Sequence, residues 1–169
     1  RSLVGSEMCI RDRFASDVHG SSKYLNILLQ KFEESKADKL VLLGDLYYHG
    51  PRNPLPEEYS PKDCIKALNN IKDKLIVVQG NCDAEVDQMV SEFPIIKDVI
   101  ISVDGLNLFL THGHIYGPQN IPANAGDVLL YGHYHVTNME KKDNVYLLSP
   151  GSISLPKNDT KRAYIVYEL

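Results

Sequence analysis

Short apolar runs recur along the chain and are separated by longer segments of mixed polarity. The runs at 40–43, 75–78 and 128–131 contain almost no polar side chains. Near-continuous apolar sequence of this length is typical of strands that are buried on both faces of a sheet. Ahead of the first run, apolar residues recur at helical spacing after Ser21 and Ser22, which can cap a helix. This helical face consists of Tyr24, Leu25, Leu28, Leu29 and Phe32.

The remaining segments extend this pattern of strands and helices. Four prolines predict a surface loop at 47–61. Asp104-Gly105 lies between two apolar stretches and predicts a hairpin. Further helices and strands are predicted at 62–70, 83–92, 99–103, 106–110, 144–148 and 163–167. Strands that alternate with helices and then pair as hairpins indicate an α/β sandwich with mixed sheets.

Residues 1–13 do not follow this pattern. They resemble translated sequencing-adaptor DNA, so we interpret them as a non-native segment, which includes Cys9. The segment lacks the basic and apolar regions of a signal peptide. Residues 14–16 predict the end of a first strand, with charged residues at 11–13 in place of its expected apolar start.

Composition narrows the class of protein. A chain of 169 residues can bury a substantial core. Its net charge of −4 argues against dedicated nucleic-acid binding, which needs a basic face. No apolar run approaches the ~20 residues that span a bilayer. The three cysteines show no paired spacing, which indicates free thiols and a cytoplasmic setting.

Polar side chains follow several of the apolar runs directly. Five segments place Asp, Asn or His at these positions, namely 17–20, 44–45, 80–83, 111–114 and 132–135. In open α/β sheets, sites form beyond the carboxyl ends of the strands, so one crevice can collect all five. Each histidine alone is consistent with a hydrogen-bonded residue at a strand end. The joint pattern favours a site for divalent ions such as Mn²⁺, Zn²⁺ or Fe²⁺. His49 lies in the proline-rich loop, and the sequence leaves open whether it is solvated or joins the site.

With these motifs, the chain resembles the calcineurin-like metallophosphoesterases over residues 14–169. Segments 44–53, 80–89 and 149–152 resemble the YfcE-type bacterial phosphodiesterases in particular. The resemblance implies a single domain with a four-layer α/β/β/α sandwich of mixed sheets. The pattern of the subfamily continues beyond Leu169, so we expect the domain to be truncated at its C-terminus.

The resemblance also implies a binuclear metal centre. One ion would be held by Asp17, His19, Asp45 and His135. The other would be held by Asp45, Asn81, His112 and His133. Asp45 would bridge two ions, with manganese expected and zinc, iron or nickel as alternatives. A bridging hydroxide would then attack the phosphorus of a small phosphodiester.

The resemblance is incomplete at the residue that protonates the leaving group. Many superfamily members have His in the position of Cys82, and a thiol with a pKa of about 8.5 is a poor replacement. The candidates for catalytic chemistry are His114, Cys82 and Asp83. The candidates for substrate binding are Asn81, Arg52, Asn53 and His49. We expect a preference for esters with good leaving groups.

Two alternatives to a general phosphodiesterase remain open. A catalytically silent interaction scaffold, like the retromer subunit of this superfamily, would lack several ligand histidines. Here all seven ligand positions carry suitable side chains, which favours an enzyme. A cyclic-nucleotide phosphodiesterase stays open because a metal centre does not read the base. The sequence leaves the oligomeric state undecided, with a homo-oligomer as one alternative.

Overall fold

Two five-stranded mixed sheets pack face to face in this protein. A computed structural model describes residues 11–168. The strands are β1 (Arg11–Ala15), β2 (Lys39–Leu42), β3 (Leu75–Val78), β4 (Ile95–Ile96), β5 (Val99–Val103), β6 (Leu106–Leu110), β7 (Val128–Leu130), β8 (Thr137–Lys142), β9 (Val145–Pro150) and β10 (Ile165–Glu168). The α-helices are α1 (Ser22–Glu34), α2 (Pro61–Asn69) and α3 (Glu85–Val90), and a short 3-10 helix spans Lys72–Lys74.

The two sheets have related but different topologies. The first has the strand order β10-β1-β2-β3-β4 and is parallel except for β10. The second has the order β5-β6-β7-β9-β8, with parallel strands at its centre and antiparallel pairs at both edges. The predicted α/β class with mixed sheets is confirmed. None of the helices in the described part of the chain is long and apolar enough to cross a membrane.

Alternating side chains divide the core between the faces of the first sheet. In β2, Leu40 and Leu42 pack with the helical layer, whereas Val41 packs against the second sheet. Side chains of a strand point alternately to its two faces, so a continuous apolar run supplies both cores. The helical layer includes α1, which begins after Ser21, whose hydroxyl accepts a hydrogen bond from the Tyr24 N–H. The sequence pattern therefore predicted the buried strands and the cap correctly.

The outer face of the second sheet is covered by irregular chain. Phe109, Leu129 and Leu147 form a third apolar cluster, and Tyr116 and Ile121 pack against it. Both covering residues lie between β6 and β7, where the described chain contains no helix. The fourth layer is therefore a loop rather than a helical layer.

Two short or polar strands were not predicted from the sequence. β4 has only two residues, and β8 consists almost entirely of exposed positions. Both lie at sheet edges, where one face or one neighbour is missing. Such strands need little apolar sequence, so hydrophobic periodicity does not reveal them.

Charged residues occupy the first half of β1. Asp12 and Arg13 are each only 5% exposed and pair with β2 and β10. Arg13 donates a hydrogen bond to Glu168, whereas Asp12 Oδ1 has no partner. Burial raises the pKa of Asp12 above its ordinary value. Residues 1–10 of the predicted non-native segment, with Cys9, lie outside the described residues, as does Leu169, where the predicted truncation would begin.

We expect Asp12→Val to raise the melting temperature at neutral pH. A buried, unpartnered carboxylate oxygen costs about 1–3 kcal/mol, and a chain of this size gains about 2–4 °C per kcal/mol. Because the pKa of Asp12 is raised in the folded state, its penalty is present above that pKa and fades as the pH falls through it. Thermal unfolding at several pH values would show the gain shrinking in acid. Glu140→Val, on exposed β8, is the matched control and should leave stability unchanged. An unchanged melting temperature in Asp12→Val would contradict the buried position of this residue.

Candidate metal centre

Sharp backbone turns at the strand ends bring the predicted ligands together. Asp17, His19, Asp45, His133 and His135 all adopt left-handed backbone conformations, with φ between 49° and 68°. Residues other than glycine rarely adopt this conformation, and it costs about 1–3 kcal/mol per residue. Hydrogen bonds between neighbouring turns stabilise this backbone conformation. For example, the N–H of His19 donates to the carbonyl of Asp45 at 2.9 Å.

Glycines allow these turns to approach one another. A Cβ on Gly132 would lie 1.9 Å from Ser16 Oγ, and one on Gly80 would lie 2.0 Å from Asp45 Oδ1. Both contacts are far shorter than any real Cβ contact. Any larger residue would separate the ligand turns, so glycine is required by space at both positions.

The first cluster consists of Asp17, His19 and His135, which are all buried. The Nδ1 atoms of His19 and His135 lie 2.8 and 2.7 Å from the carbonyl oxygens of Tyr48 and Leu155. Each Nδ1 must therefore carry the proton in the neutral ring, which leaves a lone pair on Nε2. The two Nε2 atoms are 3.1 Å apart, and Asp17 Oδ1 lies 3.2 Å from His135 Nε2. Three electron-rich atoms that face one another at this distance repel one another unless a proton or a metal ion lies between them.

The second cluster consists of Asn81, His112 and His133 and has a similar arrangement. His112 Nδ1 lies 2.6 Å from the Leu43 carbonyl oxygen, so its Nε2 presents the lone pair. That Nε2 lies 3.3 Å from Asp45 Oδ2 and 3.0 Å from Asn81 Oδ1. His133 Nδ1 lies 2.8 Å from the same amide oxygen. This donor set suits a divalent ion that accepts both nitrogen and oxygen ligands.

Asp45 lies between the two clusters. Its Oδ2 is 3.6 Å from His19 Nε2 and 3.3 Å from His112 Nε2, and its Oδ1 accepts the Cys82 N–H at 2.8 Å. Burial favours a higher pKa for Asp45, but His112 outweighs burial and lowers that pKa. Although burial opposes it, Asp45 and Asp17 raise the pKa of His112 to about 9. Protons and metal ions would therefore compete for this centre.

All seven predicted metal ligands lie in this one region. Asp17, His19 and His135 form one compact ligand set, and Asp17, Asp45 and His112 form another. The amide oxygen of Asn81 lies within hydrogen-bond distance of both His112 and His133, which adds Asn81 and His133 to the group. The polar residues after strands had indicated the segments that carry these side chains, whereas the individual ligands were implied by the family resemblance and stay a prediction.

The three residues predicted to be catalytic have different surroundings. His114 is exposed, with its ring centroid 5.4 Å from that of His112, and burial lowers its pKa. Cys82 is half-buried, and burial together with Asp45 raises its pKa to about 12. Asp83 is buried and faces backbone rather than the centre. Its carboxylate accepts hydrogen bonds from the N–H groups of Asp45, Leu46 and Gly80 at 2.7–2.8 Å.

A cleft of about 870 Å³ opens in front of the two clusters. Arg52, Asn53 and Asn81, three of the residues predicted to bind substrate, line this cleft. His49 lies behind this cleft wall, where its carbonyl accepts a hydrogen bond from Asn53 at 3.0 Å and its ring packs against Tyr48 and Tyr59. Three of the other lining side chains were not predicted as site residues, although two of them lie in the segments 44–53 and 132–135. They are Tyr48, Tyr134 and Lys157.

Known proteins resemble this chain in both sequence and fold. Residues 13–169 match the family model described as the calcineurin-like phosphoesterase superfamily domain. The chain is 46% identical over 153 residues to phosphodiesterase YfcE of Escherichia coli strain K12, which covers 89% of this chain and 83% of that protein. The solved structure of E. coli YfcE, described as a phosphoesterase, has a TM-score of 0.90 at 43% identity and covers 93% of this chain and 87% of that chain. Vacuolar protein sorting 29 from Cryptosporidium parvum shares the fold, with a TM-score of 0.64 at 16% identity over 95% of this chain and 86% of that chain.

We expect Mn²⁺ to stabilise metal-free protein against heat. A ligand at 100 times its Kd contributes about 2.7 kcal/mol, which corresponds to roughly 5–10 °C for a chain of this size. Asp45→Asn should lose most of this shift because Asp45 contacts both clusters. The exposed Asp73→Asn is the control and should retain it. An equal shift in wild type and Asp45→Asn would show that Mn²⁺ binds elsewhere.

Proposed function

The chain belongs to the calcineurin-like phosphoesterase superfamily, and we propose that it is a metal-dependent phosphodiesterase that hydrolyses small phosphodiesters. One observation carries this proposal. A single buried carboxylate, that of Asp45, is shared by two clusters of lone-pair donors. Metal pairs that cleave phosphate esters lie ~3.5–4 Å apart and are commonly joined in this way.

The proposed centre holds two divalent ions. The first would be bound by Asp17, His19, Asp45 and His135. The second would be bound by Asp45, Asn81, His112 and His133. Bound ions would polarise the phosphate oxygens and lower the pKa of an attacking water. Manganese is our first choice, and zinc, iron or nickel suit the same nitrogen and oxygen ligands.

The side chains contribute orientation and substrate contacts. Backbone carbonyls fix the rings of His19, His112 and His135, so their Nε2 atoms stay directed at the centre. We propose that the Arg52 guanidinium binds a non-bridging phosphate oxygen, because it lines the cleft beside the clusters. Asn53 would support this contact, since it hydrogen bonds to the loop that carries Arg52.

The leaving group would receive little help from a general acid. The Cys82 thiol is a weak acid, and Asp83 is occupied by backbone N–H groups. We therefore assign Asp83 a positioning role in place of the expected catalytic one. His114 remains the candidate for proton transfer because its exposed imidazole lies beside His112. Substrates with good leaving groups are favoured for this reason.

A cyclic-nucleotide phosphodiesterase is the second candidate. Tyr48 and Tyr134 line the cleft and are 43% and 42% exposed. Exposed aromatic rings beside a phosphate site can stack on a base. We also propose a bacterial cytoplasmic location, which is consistent with the free thiols of Cys64 and Cys82.

Hydrolysis of two chromogenic esters tests the proposed function. We expect Mn²⁺-dependent turnover of bis-p-nitrophenyl phosphate well above that of p-nitrophenyl phosphate, with both lost in chelator. Asp45→Asn should reduce diester turnover at least 100-fold because it removes the shared carboxylate. Cyclic nucleotides assayed alongside would support the second candidate if they are turned over faster. A folded, Mn²⁺-loaded protein without diesterase activity would favour the scaffold alternative.

Arg52→Ala tests the assigned substrate contact. Loss of a charge-assisted hydrogen bond of about 1.5 kcal/mol should lower kcat/KM for bis-p-nitrophenyl phosphate about tenfold. The Mn²⁺ dependence should not change, since Arg52 is not a proposed ligand. Lys62→Ala removes an exposed positive charge on α2 and is the matched control. If the two variants have the same kinetics as wild type, Arg52 does not contact substrate.

A further inference from the structure

Two buried hydroxyls lie behind the first cluster, just after β9. Ser152 is fully buried, and Ser154 is 1% exposed. Both hydroxyls donate to the carbonyl oxygen of Asp17, at 2.8 and 2.9 Å. They therefore hold the peptide of a ligand whose backbone is in the left-handed region.

Ser152 also accepts two backbone hydrogen bonds, one of which comes from a residue that contacts another proposed ligand. Its Oγ accepts the Leu155 N–H at 2.9 Å and the Ser154 N–H at 3.2 Å. A hydroxyl has one donor and two acceptor positions, so this one is fully used. The single side chain thus joins the backbone of Asp17 to that of Leu155.

The carbonyl group of Leu155 in turn orients the ring of His135. Its oxygen lies 2.7 Å from His135 Nδ1, and this contact directs the Nε2 lone pair at Asp17 Oδ1. The N–H and the carbonyl of Leu155 are therefore bonded to Ser152 and to His135, respectively. The two ligands lie 118 positions apart in sequence but share this one support.

We infer that Ser152 is a positioning residue for the first ion of the centre. This inference rests on the proposed two-ion function. Without the hydroxyl, the partly buried Leu155 N–H loses this partner, and the residue whose carbonyl orients His135 is held less firmly. The carbonyl of Asp17 keeps only the hydrogen bond from the Ser154 hydroxyl. Loss of such outer contacts typically weakens metal affinity 10–100-fold.

Mn²⁺ binding to Ser152→Ala tests the inference. Metal-free protein is titrated, and free Mn²⁺ is measured by electron paramagnetic resonance. We expect one of two binding events to weaken 10–100-fold and the other to change less than about twofold. His133→Ala, which removes a ligand of the second ion, identifies which event is which. Ser149→Ala is the matched control, because its buried hydroxyl accepts the Gly151 N–H instead.

The outcomes separate the two proposals. If wild type binds no pair of ions, the proposed function fails. If wild type binds two ions and Ser152→Ala does so with equal affinity, Ser152 is only structural, even if the melting temperature falls. Should Ser152→Ala not fold, Ser154→Ala must weaken the same event at least threefold, because it removes one support of Asp17. Unchanged affinity in that variant would overturn the inference.

Discussion

The structure depends on placing electron-rich atoms close together in a buried space. Backbone carbonyls fix three histidine rings so that their unprotonated nitrogens face carboxylate and amide oxygens. These atoms repel one another unless protons or metal ions lie between them. Against the effect of burial, the carboxylates of Asp45 and Asp17 raise the pKa of His112, which favours a proton in this crowded space. A divalent ion would relieve the same repulsion with more charge.

Hydrogen bonds from the backbone and from buried polar side chains stabilise the strained turns that carry the proposed ligands. Asp83 is the clearest example, because its carboxylate accepts three N–H groups from the two turns that carry Asp45 and Asn81. Ser152 has the corresponding place behind Asp17. Both residues are buried, and neither is a proposed ion ligand. The positions of the proposed ligands therefore depend on Asp83 and Ser152, which hydrogen bond to the backbone of the ligand turns.

Much of this organisation can be predicted from the sequence because it follows simple periodicities. Apolar runs predicted β2, β3 and β7, and polar residues after strands indicated the segments of the candidate centre, whereas the individual ligands were assigned from the family resemblance. The orientation of Asp83 could not be predicted, since a carboxylate beside Asn81 is equally compatible with a site and with a backbone turn. Ser152 lay in a recognised segment, but its contacts depend on tertiary packing with Asp17. β8 carries too few apolar residues to be distinguished from a loop.

The proposed ligands come from both sheets. Asp17, Asp45 and Asn81 follow strands of the first sheet, whereas His112, His133 and His135 adjoin strands of the second. The sheets also share a non-directional apolar interface and a few buried hydrogen bonds, such as those from Ser152 and Ser154 to the Asp17 carbonyl. Bound ions would act as cross-links between the two sheets, with the same effect on chain entropy as a disulfide that closes a long loop. Metal occupancy would then govern how slowly the sandwich comes apart, and so the lifetime of the folded protein as well as its chemistry.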